Sequence, residues 1–444
     1  MFGDALFAVL ALYVAFCFRC GTLAHLHEVL GQEGKSFIFV GVLVFSSYLL
    51  EIYDKEKSSA KKVMLLKICA ALAVSVSMLS ALYFMMPDVM FGRGVFLLSL
   101  CVFGVLQFLW HSGLGVYSRI PGMAKRVLIL GTGPLAKHIG EVIASTNHRH
   151  VLSGYVRLAN EPADVPVSAI VGDGDGLAET IKEKRVQKLV VSLSERRGIF
   201  PVRDVLDCKF SGVEVIDAPS FYEEVTGKLL IENINPSSFI FCQGLKLNAS
   251  LRVYKRAFDI FFSVIGLFLA LAVMPLIALM IKIDSPGPVF FGQIRVGARE
   301  RRFILYKFRT MRQDAEDRVG AVWARKDDPR ITRIGRLLRK TRLDEIPQLY
   351  NVFRGDMSFI GPRPERPEFT EKLKEVIPYY SERHCLKPGI TGWAQVRYPY
   401  GASIEDTLEK LRYDLFYIKN VSIFLDLLII LETIKVVIFG KGGR

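Results

Sequence analysis

Five stretches of this 444-residue chain are too apolar to be left in water, and where they go limits the folds open to the rest. Four come early: Phe2–Phe18, Phe37–Ile52, Val63–Met86 and Val95–Trp110. Their flanks extend the shorter ones toward the ~20 residues needed to cross a hydrocarbon core. Charge in the connections sets an orientation. Lys55, Lys57, Lys61 and Lys62 lie between the second and third runs, Arg93 alone between the third and fourth, and Arg119, Lys125 and Arg126 after the fourth. Four crossings with the N-terminus inside satisfy the positive-inside rule at each point, so everything after about residue 118 is expected in the cytoplasm. The first run has no basic segment before it and no small-residue cleavage site, and reads as a retained span rather than a signal peptide.

The fifth run, Ile260–Ile281, is a span by hydropathy alone. A span would export the segment behind it. Residues 282–345 hold 17 Lys and Arg against 9 Asp and Glu, a net +8 of the chain's +14. Exporting that charge would break the rule that the first four runs obey. Pro275 offers another solution, because it lacks an N–H, clashes with the preceding turn and can bend a helix back to the face it entered. A re-entrant helix at about 257–283 is therefore expected.

Between the two apolar regions, KRVLILGTGPLAKHIGEVI has the order of a strand, a glycine turn and a helix. Gly131, Gly133 and Ala136 match the dinucleotide fingerprint with Ala in third place. Further strands are expected at Lys188–Ser192 and Val213–Ile216. The turn reads either as a nucleotide site or as a Rossmann-like turn that serves only folding or assembly, since no strand-end acid stands at the expected distance to hold a ribose. The chain thus divides into three expected domains: a four-helix transmembrane region over 1–118, an α/β Rossmann-like domain over 119–248 and an α-rich catalytic domain over 249–444.

In the last domain, DSPGPVFFGQIRVG (284–297) is turn-rich and RRFILYKFRTM (301–311) strand-like. An amphipathic helix is expected from about Arg330 to Tyr350, with Ile331, Ile334, Leu337 and Leu338 as its apolar stripe. Arg330, Arg333, Arg336, Arg339, Lys340 and Arg342 surround that stripe. The helix either lies on the membrane with its basic flanks on lipid phosphates, or packs on its own domain with a solvated basic face. Asp344 and Glu345 close the basic run. Nearby cations keep carboxylates ionised, and ionised carboxylates beside phosphates suit Mg²⁺. An Asp can also attack phosphorus directly.

Six segments in order make this half similar to the monotopic phosphoglycosyl transferases, bacterial sugar transferases that act on polyprenyl phosphate. They are KRAFDI (255–260), DSPGPVFFGQIRVG, YKFRTM (306–311), TRLDEIPQLYNVFRGDMSFIGPRPE (341–365), KPGITGWAQV (387–396) and RYDLFYIKNVSIFLDL (412–427). With its apolar N-terminus and Rossmann-like middle, the chain resembles the long members that initiate exopolysaccharide or O-antigen assembly. The resemblance implies that Asp344 attacks the sugar-bearing phosphate of a UDP-sugar and releases UMP. Polyprenyl phosphate then takes the phosphosugar from Asp344. Glu345 and Mg²⁺ would position the diphosphate, with Asp344, Glu345 and Asp414 as metal-binding candidates. Lys307, Arg309 and Arg363 would hold phosphate oxygens, and Gln293, Arg295, Lys387, Trp393, Gln395 and Asp414 would contact substrate, with Trp393 reading as part of a packed loop rather than a catalytic group. The expected partners are a UDP-sugar, polyprenyl phosphate and the bilayer, with a homodimer and other polysaccharide assembly proteins as further expectations. The expected location is the bacterial cytoplasmic membrane, multi-pass, with the catalytic domain on the cytoplasmic face. The chain departs from the family at Met274, where Ser often precedes the proline. It departs again at Arg397-Tyr398-Pro399-Tyr400-Gly401, where an Asn-Gly pair commonly comes after WAQV, a loop that bears on sugar specificity.

Other readings fare less well. A nucleotide-sugar dehydratase or epimerase needs a Tyr-x-x-x-Lys pair in a catalytic α/β domain, and the only such spacing is Tyr53…Lys57 at a membrane boundary. A non-catalytic membrane scaffold leaves Asp344 and Glu345 unexplained. The basic stretch contains no nucleic-acid module, so no nucleic-acid partner is expected. Seven scattered cysteines give no disulfide framework, and seven dispersed histidines no metal constellation. A segment over 427–438 carrying Glu432 and Lys435, with Asp426 just before it, reads as a surface or interfacial helix rather than a further span.

Overall fold

A computed structural model describes residues 1–20, 33–53, 61–117, 124–145, 150–158, 163–193, 200–233, 249–313, 328–398, 401 and 403–438. Lys55, Lys57, Arg119, Cys242, Pro399 and Tyr400 lie outside the described residues. The chain divides into two compact units, Met1–Ile216 and Asp217–Arg444. The described part of 217–248, read from the sequence as the end of the middle domain, thus falls in the second unit. Leu229 and Ile231 belong to that unit's largest core.

The first unit opens with helices α1 (Phe2–Cys20), α2 (Glu33–Leu49), α3 (Lys61–Met85) and α4 (Arg93–Tyr117). Stretches of α1, α3 and α4 are long and apolar enough to cross a membrane, while that in α2, Gly34–Leu49, is shorter. Ala8, Leu12, Phe39, Leu43, Leu79 and Phe103 form their common core. Polar groups inside it bond to one another: Gln107 donates to Asp4 at 2.6 Å and to Ser47 at 2.9 Å. An unsatisfied polar group in an apolar bundle would be costly, so these contacts tie α1, α2 and α4 together.

The same unit contains a five-stranded sheet in the order β3-β2-β1-β4-β5. Its strands are β1 (Lys125–Leu130), β2 (His150–Arg157), β3 (Ile170–Asp173), β4 (Lys188–Val191) and β5 (Glu214–Asp217), and β1 runs parallel to both β2 and β4. The order matches the first five strands of the doubly wound 3-2-1-4-5-6 arrangement. Gly131 turns the chain from β1 into helix α5 (Pro134–Ser145) at φ +128°, a conformation that favours glycine. Its N–H donates to Val156 O at 2.9 Å, and Ala136 is fully buried where α5 meets the sheet. Helices α6 (Leu177–Lys184) and α7 (Val202–Phe210) complete the domain.

The second unit begins with α8 (Ala218–Thr226) and then the 36-residue helix α9 (Ala249–Asp284). The helix runs through Pro275 without interruption, so the proline ends no element here. One face of α9 packs along its own domain from end to end. Arg256 donates to Val352 O and Phe353 O at 2.9 and 2.8 Å. Asp259 accepts from Ser358 Oγ and from Phe359 N, both at 2.9 Å. Ile277 and Ile281 pack on Phe308 and Leu338, and Asp284 accepts from Ile334 N at 2.9 Å. The other face exposes Phe261, Ile265, Phe268, Leu269, Leu271, Leu276, Leu279 and Ile283. Both ends of the apolar run are thus fastened to one globular body.

That body contains an antiparallel hairpin of β6 (Phe290–Val296) and β7 (Arg302–Phe308), then α10 (Arg333–Thr341), α11 (Gln348–Arg354), β8 (Ser358–Ile360), α12 (Pro367–Val376), β9 (Gly389–Thr391), α13 (Trp393–Arg397), α14 (Ile404–Lys419) and α15 (Ile423–Ile438). The continuous helix expected over 330–350 is two helices. Arg342 adopts φ +59°, which ends α10, and the chain makes a 3₁₀ turn at Leu343–Glu345 before α11 starts after Pro347. Of the expected stripe, Leu338 is buried, Leu337 is exposed, and Ile331 precedes the helix in a β-bridge with Met311.

Candidate active site

The break at Arg342 creates the site. It places Asp344 and Glu345 on a short turn rather than on a helix face. Leu343 and Ile346, on either side, pack into the cluster of Ile277, Ile281, Phe308 and Leu338. Apolar packing therefore anchors a turn whose acids face inward, with Asp344 only 7% exposed.

Three cations converge on one oxygen of the second acid. Glu345 Oε1 lies 2.9 Å from Arg363 Nη2, 3.3 Å from Lys307 Nζ and 3.8 Å from Arg342 Nη1. Burial opposes ionisation of Glu345, but Arg363, Lys307 and Arg342 outweigh it and hold the carboxyl below its usual range. Asp344 is shifted the opposite way. Burial raises it, Lys307 pulls against that, and the neighbouring Glu345 charge raises it further. Two adjacent acids thus have opposed tendencies, one firmly charged and one poised, a contrast typical of sites where environment assigns roles. Lys307 is itself lowered, chiefly by burial.

Separate elements supply the cations. In the hairpin register Lys307 stands opposite Phe291, with Gln293 opposite Leu305 and Arg295 opposite Phe303, so all six share a face. Arg295 donates to Gln293 Oε1 at 2.7 Å and to Pro364 O at 3.2 Å, which ties that face to the GPRP turn. Asn351, fully buried on α11, donates to Ile304 O at 2.7 Å and accepts from Tyr306 N at 3.1 Å. It locks the strand carrying Lys307 to the helix just beyond Asp344, a role the sequence reading missed.

Arg363 lies just after β8. Its Nη1 donates to Gln395 Oε1 at 2.8 Å, and the Gln395 amide nitrogen is buried without a partner. The parallel pairing of β8 and β9 brings these together and needs glycine on both sides. A Cβ on Gly361 would lie 2.3 Å from Lys387 O, and one on Gly389 2.1 Å from Gly361 N.

Other expected site residues occupy different places. Arg309 donates to Pro286 O and Ser285 O, both at 2.7 Å, so its terminal nitrogens fasten the turn after α9. Trp393 is a core residue: Nε1 donates to Gly227 O at 2.7 Å and the ring stacks with Phe416. Lys387 is exposed and sits with Arg256 against Gly355 at the end of α11. Asp414 is sealed against Arg383 at 2.9 Å, and Arg383 also donates to Tyr380 OH and to Arg363 O. Burial pushes the Asp414 carboxyl up to about 6 against the pull of Arg383. Asp414 is thus linked to the site through Arg383 and the Arg363 backbone. Among the described residues no group of three or more Asp, Glu, His or Cys side chains could hold a metal ion. The trio of Asp344, Glu345 and Asp414 does not assemble.

Residues 250–440 match the family described as bacterial sugar transferase. An exopolysaccharide production protein, PSS, of Rhizobium leguminosarum bv. phaseoli is 44% identical over 196 residues, 43% of this chain and 98% of that protein. The chain belongs to the bacterial sugar transferase family. Longer relatives extend the match. A UDP-N-acetylgalactosamine-undecaprenyl-phosphate N-acetylgalactosaminephosphotransferase of Aeromonas hydrophila is 42% identical over 53% of this chain and 55% of its own length. An undecaprenyl-phosphate glucose phosphotransferase of Komagataeibacter xylinus is 36% identical over 72% of this chain and 60% of its own length. The chain thus spans little more than half of each of these two.

Proposed function

We propose that this bacterial sugar transferase moves a hexose-1-phosphate from a UDP-sugar to undecaprenyl phosphate and initiates a surface polysaccharide. The observation that carries this reading is the buried Asp344 beside a Glu345 already neutralised by Lys307, Arg342 and Arg363. A carboxylate next to surplus positive charge can receive a diphosphate and attack it. In the first step a carboxylate oxygen of Asp344 forms a bond to the sugar-bearing phosphorus, and the bridging oxygen leaves with UMP. In the second, a phosphate oxygen of the lipid bonds to that phosphorus, the bond to Asp344 breaks, and a lipid diphosphate sugar departs. Arg363 and Lys307 would hold phosphate oxygens in both steps. The unpartnered Gln395 amide suits an acceptor on the nucleotide side.

The donor set suits Mg²⁺ only together with substrate, because Asp344 and the second Glu345 oxygen are too few alone and the remaining ligands must be phosphate oxygens and water. The ion would supply charge neutralisation of the diphosphate.

The reading also places α9 as a re-entrant membrane helix, with the N-terminal helices in the cytoplasmic membrane and the site on its cytoplasmic face. It rests on two features of α9: both its ends bond to one domain, and its outer face is apolar. The test of chemistry is UMP release by purified protein with UDP-sugars, Mg²⁺ and undecaprenyl phosphate. Turnover is expected for wild type and not for Asp344→Ala. No turnover with any UDP-sugar, or full activity in the variant, would refute the mechanism.

A further inference from the structure

The hairpin carries a feature that neither step of the chemistry uses. Phe290 and Phe291 open β6 at 48% and 42% exposure, directly after the turn that Arg309 holds to the end of α9. Exposed aromatics cost free energy in water and mark a contact when they continue a larger apolar surface. These two do. Leu279 and Ile283 are exposed on the last turns of α9, and Val289, which precedes the pair, packs with Ile281 and Phe308. Exposed apolar side chains thus stand on both sides of this turn, at the end of α9 and at the start of the hairpin.

The two rings differ in direction. Phe290 pairs with Phe308 and stacks on it at 5.4 Å. Phe291 is opposite Lys307, and directly opposed side chains of an antiparallel pair project from the same face with Cβ atoms roughly 5 Å apart. Lys307 reaches Glu345 at 3.3 Å, next to Asp344. Phe291 is therefore where an apolar surface meets the phosphate-binding cation.

We propose that Phe291 binds the first isoprene units of the lipid acceptor and so positions its phosphate at Lys307 for the second step. The inference rests on the proposed transfer to undecaprenyl phosphate. An acceptor with an anionic head and an apolar tail matches a cation and a ring side by side, at the end of an apolar helix face. The nucleotide belongs on the other flank of Glu345, where Arg363 and Gln395 stand.

The two half-reactions make this testable in the full chain in detergent. Phe291→Ala should leave single-turnover UMP release from a UDP-sugar unchanged without acceptor, and leave the thermal melt unchanged. It should raise KM for undecaprenyl phosphate about tenfold or more, as expected for the loss of one apolar contact, and Phe291→Leu should recover much of that loss. The penalty should persist with an acceptor of one or two isoprene units, which still carries the units the ring holds. An unchanged acceptor KM would overturn the proposal. So would slower UMP release with a raised KM for the UDP-sugar, which would place the ring on the nucleobase. A lowered melt with both steps equally impaired would make Phe291 a folding residue only. If wild type releases no UMP, the underlying reading fails and this inference with it.

Discussion

Two clusters of buried acid and base lie in the second unit, and they are built on opposite principles. In one, Asp414 meets Arg383 at 2.9 Å, and the Arg383 nitrogens also donate to Tyr380 OH and Arg363 O. One acid faces one cation, and the guanidinium is occupied by protein. In the other, Lys307, Arg342 and Arg363 gather on a single oxygen of Glu345. Positive charge there is in excess and converges on a turn carrying a second acid. The first cluster is closed and fixes the backbone of Arg363; the second is open to an added anion. Burial alone does not separate structure from site, but charge balance does.

The sharpest way to break this contrast is to neutralise each cluster and read activity and stability together. Asp344→Asn should lower turnover by at least about 10³-fold, as removal of a nucleophile does. Its thermal melt should hold or rise. Burial raises Asp344 above the ordinary carboxylate value, so at neutral pH its charge costs stability that the amide does not. Arg383→Met should do the reverse, costing about 3–5 kcal/mol of stability because a buried carboxylate loses its partner. The pH dependence has a definite sign. Asp414 already titrates high, at about 6, and without Arg383 it rises further. A raised carboxyl contributes stability that is full below the ordinary value near 4 and is lost as pH rises through the folded one. The Arg383→Met melt should therefore recover between pH 8 and pH 5. A variant that melts like wild type at pH 8 but is inactive would move Arg383 into the open cluster.

Much of this was legible in the sequence, for identifiable reasons. Apolar runs and the glycine turn at Gly131 are local patterns, and local patterns survive into structure. Lys307, Arg363 and Gln395, named from motifs, do gather with Asp344 and Glu345 or their contacts. The hidden part was non-local or conformational. No propensity gives the positive φ of Arg342, so one helix was expected where a turn holds the acids. Arg383, four residues before the KPGITGWAQV segment and outside it, takes Asp414 away from a metal-binding set. Arg309 and Trp393 are residue types suited to ligands, yet here turn carbonyls occupy the terminal nitrogens of the first and the second is packed in the core. Asn351 carries no signal of its own in the sequence, and only the strand beside it reveals what it holds.

The smallest expected effect probes the open cluster from within. If Glu345 raises Asp344 by like charge, as well as gathering the cations, then Glu345→Gln removes that repulsion. Lys307, Arg342 and Arg363 also lose their carboxylate and turn their field on Asp344. Both changes favour the charged form of Asp344, so its titration should move toward lower pH. Asp344 must be ionised to attack. The acid limb of kcat/KM for UMP release should therefore shift down in Glu345→Gln, even as the plateau falls because the diphosphate is less well positioned. A limb that stays in place would leave burial as the sole cause of the Asp344 shift. A limb that moves up would mean that the cations reach Asp344 only by way of Glu345, and the second acid would then be a bridge between charges rather than a counterweight to the first.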